Sequence, residues 1–184
     1  MPRHCSTCGA AVGAQAPVVC PRCGTAHWQN AQPAAAALVL HDGKLLLVRR
    51  AHDPWRGCWC APSGFCNGDE HPIDCAERET LEEAGIRVRV VGHLGHWISE
   101  YEPAPDAAAE PIHCAVTYYH AVPVDDASPT ADRVETSEAG WFAPDELPDA
   151  LSPPEEAPHI YAAWRDAVAA GRTHTPLPDR PPTR

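Results

Sequence analysis

Positive charge is what this sequence is shortest of: 14 Lys and Arg stand against 25 Asp and Glu, a formal net charge of -11 over 184 residues. A surface so acidic repels the phosphates of a nucleic-acid duplex, so no nucleic-acid partner is expected. It does not exclude a polyphosphate substrate, because a divalent cation reverses the local sign of a carboxylate-lined site. Long apolar runs are missing too. The longest, Ala34 to Leu40, is far below the ~20 residues that span a bilayer. Met1 to Cys8 carries no apolar core of the kind a secretory signal needs. No internal repeat is present. A cytoplasmic protein without a membrane partner is expected.

Hydrophobic residues make up 44% and charged residues 21%, so a packed core is within reach. The length suits one ordinary domain and a small accessory module. Nine cysteines are an odd number, and four of them form two tight pairs, Cys5-Ser6-Thr7-Cys8-Gly9 and Cys20-Pro21-Arg22-Cys23-Gly24. That pattern fits a metal site in a reducing compartment better than a disulfide framework. Four thiolates close a tetrahedral shell around structural zinc, with rubredoxin-like iron the main alternative and a redox dithiol a weaker one. Residues 1–30 are therefore predicted to be a zinc ribbon whose metal supplies much of its stability. His4 and His27 are not needed as ligands. A structural or dimerisation role is favoured over nucleic-acid binding, since the ribbon is poor in Arg and Lys.

Beyond Pro33, two apolar stretches, Ala34 to Leu40 and Lys44 to Val48, flank Asp42-Gly43, a hairpin signal. Residues 51–71, rich in Gly, Pro, Cys and Trp, read as a loop. Pro72 suits a first helical turn and Gly85 a C-terminal cap, which predicts a helix between them. Strands are expected over Ile86 to Val91 (continuing to Ile98), Ile112 to Val122 and Ala139 to Phe142. A short helical turn is expected at Pro144 to Leu147. Ile160, Ala163, Trp164, Ala167 and Val168 recur at helical spacing, predicting a helix from about Glu155 to Ala170. The Pro-rich tail 171–184 is expected to be disordered. Glu102 to Glu110 is an acidic loop placed to close over a substrate or simply to connect two strands.

Glu79, Glu82 and Glu83 fall at i, i+3 and i+4, on one arc of the predicted helix, with Ile73, Ala76, Thr80 and Ala84 opposite. Like charges so close repel unless offset, and a hard cation such as magnesium takes oxygen ligands and completes its shell with phosphate. A solvated acidic face is the plain alternative.

Their surroundings favour the metal. Gly64, Glu70, Arg78-Glu79-Thr80-Leu81-Glu82-Glu83-Ala84-Gly85-Ile86 resemble the Nudix box, G-x5-E-x7-R-E-U-x-E-E-x-G-U, at every polar and glycine position. Thr80 stands where a larger aliphatic is usual. The resemblance extends over about residues 34–170. It implies an α/β/α sandwich with a mixed sheet, and cleavage of the diphosphate linkage of a nucleoside diphosphate joined to another group. It implies Mg2+ (or Mn2+) held by Glu79, Glu82 and Glu83 with the Ser63 carbonyl, and a Glu70–Arg78 pair bracing the loop between Gly64 and Gly85. Glu138 is the expected further carboxylate, with Glu135 its competitor. Arg50, Trp97 and Tyr101 are the expected substrate contacts, Trp97 and Tyr101 chosen from a set of aromatics that includes Trp55, Trp59 and Tyr118. Arg49 and Arg56 are further phosphate candidates. Cys58, Cys60, Cys66, Cys75 and Cys114 are read as packing residues. The ribbon-then-box order is similar to NADH pyrophosphatase-like Nudix proteins. Their SQPWPFP-type stretch is replaced here by Gly95-His-Trp-Ile-Ser-Glu-Tyr-Glu-Pro103, so ADP-ribose-like, dinucleoside polyphosphate and nucleotide-sugar substrates stay open. A homodimer and a non-catalytic nucleotide sensor are also compatible with the family.

Overall fold

The computed structural model describes residues 4–13, 17–101, 111–125 and 127–177. A two-stranded ribbon, β1 (Val18–Val19) and β2 (Ala26–His27), belongs to the cysteine module. The main sheet follows: β3 (Gln32–His41), β4 (Lys44–Arg50), β5 (Trp59–Cys60), β6 (Ser63–Phe65), then helix α1 (Pro72–Ala84), β7 (Val88–Tyr101), β8 (Ile112–Pro123), β9 (Thr136–Phe142) and helix α2 (Ala157–Ala169). The order is β5-β4-β3-β8-β7, with β6 on β3 and β9 on β4. β3 runs parallel to β8 and the other pairs are antiparallel, so the sheet is mixed, as expected.

The run Ala34–Val39 has no polar side because both of its faces are buried. Ala35, Ala37 and Val39 pack with Ile73, Ala76 and Ala84 of α1. Ala34, Ala36 and Leu38 pack with Ile160 and Trp164 of α2. A strand with a period of two under helices on both sides reads as a continuous apolar stretch, and small alanines let the helices come close. That is the α/β/α sandwich. The hairpin turns at Asp42 (φ 48°) and Gly43 (φ 75°), both in the left-handed region that a two-residue turn demands.

Helix α1 begins and ends as its sequence predicts. Its N-cap is His71, whose Nδ1 accepts from the Ile73 N–H at 3.2 Å, and it stops at Gly85 (φ 69°), whose N–H reaches the Leu81 carbonyl at 3.0 Å. Other expectations shift. The strand expected at Ala139 begins at Thr136, and α2 begins at Ala157 rather than Glu155. Pro144 to Leu147 holds a single turn, in which Glu146 N–H donates to Ala143 O at 2.9 Å. The stretch 51–71 contributes two short strands, β5 and β6. Part of the tail expected to be disordered is tied down: Thr175 N–H donates to Val91 O at 3.1 Å, and its hydroxyl accepts from His93 N–H at 2.9 Å. The 102–110 loop and residues 178–184 lie outside the described residues. Among the described residues no helix is long and apolar enough to cross a membrane.

Candidate active site and cysteine cluster

The two Cys-x-x-Cys-Gly turns fold alike. Cys5 N–H donates to Ala10 O and Gly9 N–H to Cys5 O, at 2.8 and 2.9 Å; Cys20 N–H to Thr25 O and Gly24 N–H to Cys20 O repeat those distances. Gly9 and Gly24 sit at φ 70° and 74°, where a side chain would strain the turn. The Cys5–Cys23 and Cys8–Cys20 sulfurs are 3.5 and 3.6 Å apart, and all four lie within 4.8 Å of one another. A tetrahedron of sulfurs ~2.3 Å from a zinc ion has edges of about 3.8 Å, so the donor set fits such an ion. Desolvation opposes ionisation of Cys5, but the Thr7 and Cys8 N–H groups outweigh it and draw this thiol down to about 5.

The second site is a cleft of about 530 Å³ at the junction of β6, α1 and the loops around β4, β7 and β9. Strand β6 pairs with the start of β3 and so delivers Ser63 and Gly64 to the flank of α1. Glu79 and Glu83 project from α1 into this corner, only 7% and 8% exposed. A Cβ on Gly64 would fall 2.2 Å from Glu79 Oε1; the close approach, rather than a positive φ, requires glycine there. The Ser63 N–H donates to Glu83 Oε2 at 3.0 Å.

Arg78 is the hub behind them. Its Nε and Nη2 grip the two oxygens of Glu70 at 2.7 and 2.8 Å, and Nη2 also reaches the Phe65 carbonyl at 3.1 Å. This fork locks the loop to the helix and holds the Glu70 carboxyl at about 2. Nη1 of the same guanidinium bonds Glu79 Oε1 at 2.6 Å and Glu82 Oε2 at 2.9 Å. Among the described residues only the four cysteines bring three or more metal-type donor atoms within 4.8 Å of one another. The three glutamates line one cleft, but Glu79 and Glu82 lean on Arg78.

Burial pushes the Glu83 carboxyl up to about 8, with Glu79 and Glu135 adding to the effect and the Ser63 N–H and Arg50 opposing it. Desolvation also raises Glu79, against the pull of Arg78. Buried carboxylates whose charge is this poorly compensated form a site that a divalent cation suits.

Two of the expected residues lie outside the cleft. Glu138 does not reach it: in the β4–β9 register Glu138 lies opposite Arg49, and the two pair at 2.7 Å on the surface. Glu135, its competitor, lines the cleft and acts on both Glu79 and Glu83. It stands at the end of a turn in which the Asp132 carboxylate accepts the N–H groups of Val134, Glu135 and Thr136. Trp97 does not line the cleft either; its ring meets Tyr118 edge-on at 5.4 Å and packs over Gly95. Arg50 and Tyr101 do line it, together with Trp55 and Tyr118. Trp59 packs on Phe142. Sequence periodicity offered little to separate Trp55 from Trp97, because Trp55 sits in an irregular loop.

A family model described as NUDIX domain matches residues 31–163. The NAD-capped RNA hydrolase NudC of Chromobacterium violaceum is 32% identical over 145 residues, 79% of this chain and 50% of that protein. The mitochondrial NAD(P)H pyrophosphatase NUDT13 of Homo sapiens is 29% identical over 133 residues, 72% of this chain and 35% of its own length. The chain thus spans half or less of the length of these two relatives. A crystal structure of a NUDIX hydrolase from Nitrosomonas europaea superposes with a TM-score of 0.74 at 26% identity, covering 95% of this chain and 97% of that one.

Proposed function

The chain belongs to the NUDIX domain family, and from that premise we propose that it hydrolyses, with a divalent cation, the diphosphate linkage of a nucleoside diphosphate joined to a second group. The products are a nucleoside monophosphate and a phosphorylated partner. The observation that carries this reading is the pair Glu79 and Glu83, two buried carboxylates held side by side beside a glycine that leaves them room.

Glu79, Glu82 and Glu83, with the Ser63 carbonyl, are the residues that would hold Mg2+ or Mn2+. A cation bound there would neutralise the diphosphate and lower the pKa of a coordinated water. The residues supply the rest. Arg78, anchored on Glu70, fixes the direction of Glu79 and keeps Glu82 at the rim. Glu135 faces the same volume from β9's leading turn, and in this reading it replaces Glu138 as the carboxylate that accepts a proton from attacking water. Arg50 lines the cleft, where its guanidinium can neutralise a phosphate. In the cysteine module we assign the four thiolates to structural Zn2+.

The curated relatives named above carry NAD-capped RNA and NAD(P)H in their names. We place this chain with small nucleotides of that class rather than with RNA, because a net charge of -11 disfavours contacts along a nucleic-acid chain. The test is a Mg2+-dependent hydrolysis panel of NADH, NAD-capped RNA, ADP-ribose, diadenosine polyphosphates and UDP-sugars with product identification. Release of a nucleoside monophosphate from a small dinucleotide or sugar nucleotide is expected. Binding without turnover across the panel would instead make the protein a nucleotide sensor.

A further inference from the structure

The loop between β4 and β5 carries a residue that the chemistry above does not use. Trp55 has a backbone φ of 62°, in the left-handed region where a bulky L-residue is a genuine outlier. The loop holds it there. Arg50 N–H donates to Cys58 O and Gly57 N–H to Arg50 O, both at 2.9 Å, closing the loop, and Cys58 N–H donates to Trp55 O at 3.0 Å. The side chains of two arginines then clamp its carbonyls: Arg50 Nε on Pro54 O at 2.7 Å and Arg49 Nε on Gly57 O at 2.9 Å. This over-determined strain ends in an indole that lines the cleft and meets the Tyr101 ring at a 55° tilt, centroids 4.7 Å apart. Strain maintained by so many contacts is found where a side chain must be presented for use.

Ser152 lines the cleft but is 3% exposed, and its hydroxyl interacts with the Cys60 thiol. Arg50 joins these groups to the carboxylates. Its guanidinium carbon is 5.8 Å from the centre of the Trp55 ring, and its charge is felt by both Tyr101 and Glu83.

We propose that Trp55, braced at a tilt by Tyr101, is the platform for the planar heteroaromatic ring of the substrate. Arg50 lies between this platform and the glutamates and takes a phosphate. The ring is recognised by the loop before the carboxylate helix with Tyr101 behind it, and not by Trp97. This rests on the diphosphate-cleaving reading and adds to it the half of the substrate that the glutamates cannot see.

Kinetics on a matched pair of substrates tests it: ADP-ribose, which has a ring, and P1,P2-dimethyl diphosphate, which has none. Trp55→Gly deletes the indole while keeping a residue that accepts φ 62°, and Trp55→Phe keeps a ring. Stacking of one base is commonly worth about tenfold to a hundredfold in affinity. Trp55→Gly is expected to lose about that factor in kcat/KM for ADP-ribose, mostly through KM, and to change dimethyl diphosphate by about twofold at most. Trp55→Phe should recover most of the loss. Equal losses on both substrates, or none on either, would overturn the assignment. Calorimetry of AMP against ribose 5-phosphate supplies a readout that needs no turnover. Wild type should prefer AMP and Trp55→Gly should not. A retained AMP preference refutes the platform, whereas a lost preference in a protein that cleaves no diphosphate refutes only the underlying reading.

Discussion

The cysteine cluster and the glutamate cleft are both built by short motifs, yet they stand in different states of readiness. The four sulfurs lie within 4.8 Å of one another, each turn held by the same pair of backbone hydrogen bonds. The glutamates share a cleft but not a chelating geometry, because Arg78 engages Glu79 and Glu82. A structural metal site is closed and its donors gain nothing by moving. A catalytic magnesium site stays open and keeps positions for water and phosphate. In the cleft, an arginine that belongs to the scaffold shares its charge with carboxylates that a cation would otherwise neutralise.

The largest effect that sharpens this contrast falls on Glu83. Glu83→Gln should lower kcat by about a thousandfold or more, on the scale of a lost metal ligand. Its thermal midpoint should stay level or rise, because a buried, poorly compensated charge is removed. Steady-state rates and a melting curve check both parts. The cysteine module should respond in the opposite way. Cys20→Ser should abolish stoichiometric zinc in elemental analysis and expose residues 4–13 and 17–27 to fast hydrogen exchange, while protection of β3, β4 and β8 and the rate on ADP-ribose change little.

Glu70 tests the scaffold side of the comparison through pH. Its folded value is about 2 against an ordinary 4.5, mainly from Arg78. A depressed carboxyl contributes stability that is fully present above its unfolded pKa and is lost as pH falls through its folded one. Linkage makes this about 3 to 3.5 kcal/mol at most, disappearing between pH 5 and pH 2. Denaturant melts across that window should therefore show a shallower acid slope for Glu70→Gln than for wild type. The smallest effect belongs to Glu138: Glu138→Gln breaks an exposed ion pair worth well under 1 kcal/mol and should leave kcat within about twofold, whereas Glu135→Gln should lower it at least tenfold. A large loss at Glu138 would reverse the choice between the two carboxylates.

Most of the fold was open to reading from local chemistry. Asp42-Gly43, Pro72 and Gly85 mark a turn and both ends of a helix because their backbone preferences are strong and local. The alanine-rich β3 was recognisable as apolar, and its burial on both faces explains why it never alternates. The carboxylate helix and the cysteine pairs were equally local, since their spacing alone defines them. What escaped depended on pairing between distant segments. Glu138 and Glu135 differ by a β4–β9 register that no neighbouring residue encodes. Trp97 is taken up by packing on Tyr118, whereas Trp55 reaches the cleft through a strained loop conformation that propensity argues against. The tail at Thr175 is held by hydrogen bonds to β7 that its Pro-rich composition does not announce.

Hydrolysis of ADP-ribose in 18O-labelled water, with and without Mg2+ and in the Glu79→Gln, Glu83→Gln double variant, bears most directly on the cleft as a cation-assisted diphosphate cleaver. The account predicts AMP and ribose 5-phosphate, one 18O atom on a single phosphate, and no turnover when either the cation or the carboxylates are removed. Wild-type rates from the double variant, cleavage indifferent to Mg2+, or a label on carbon rather than phosphorus would contradict it.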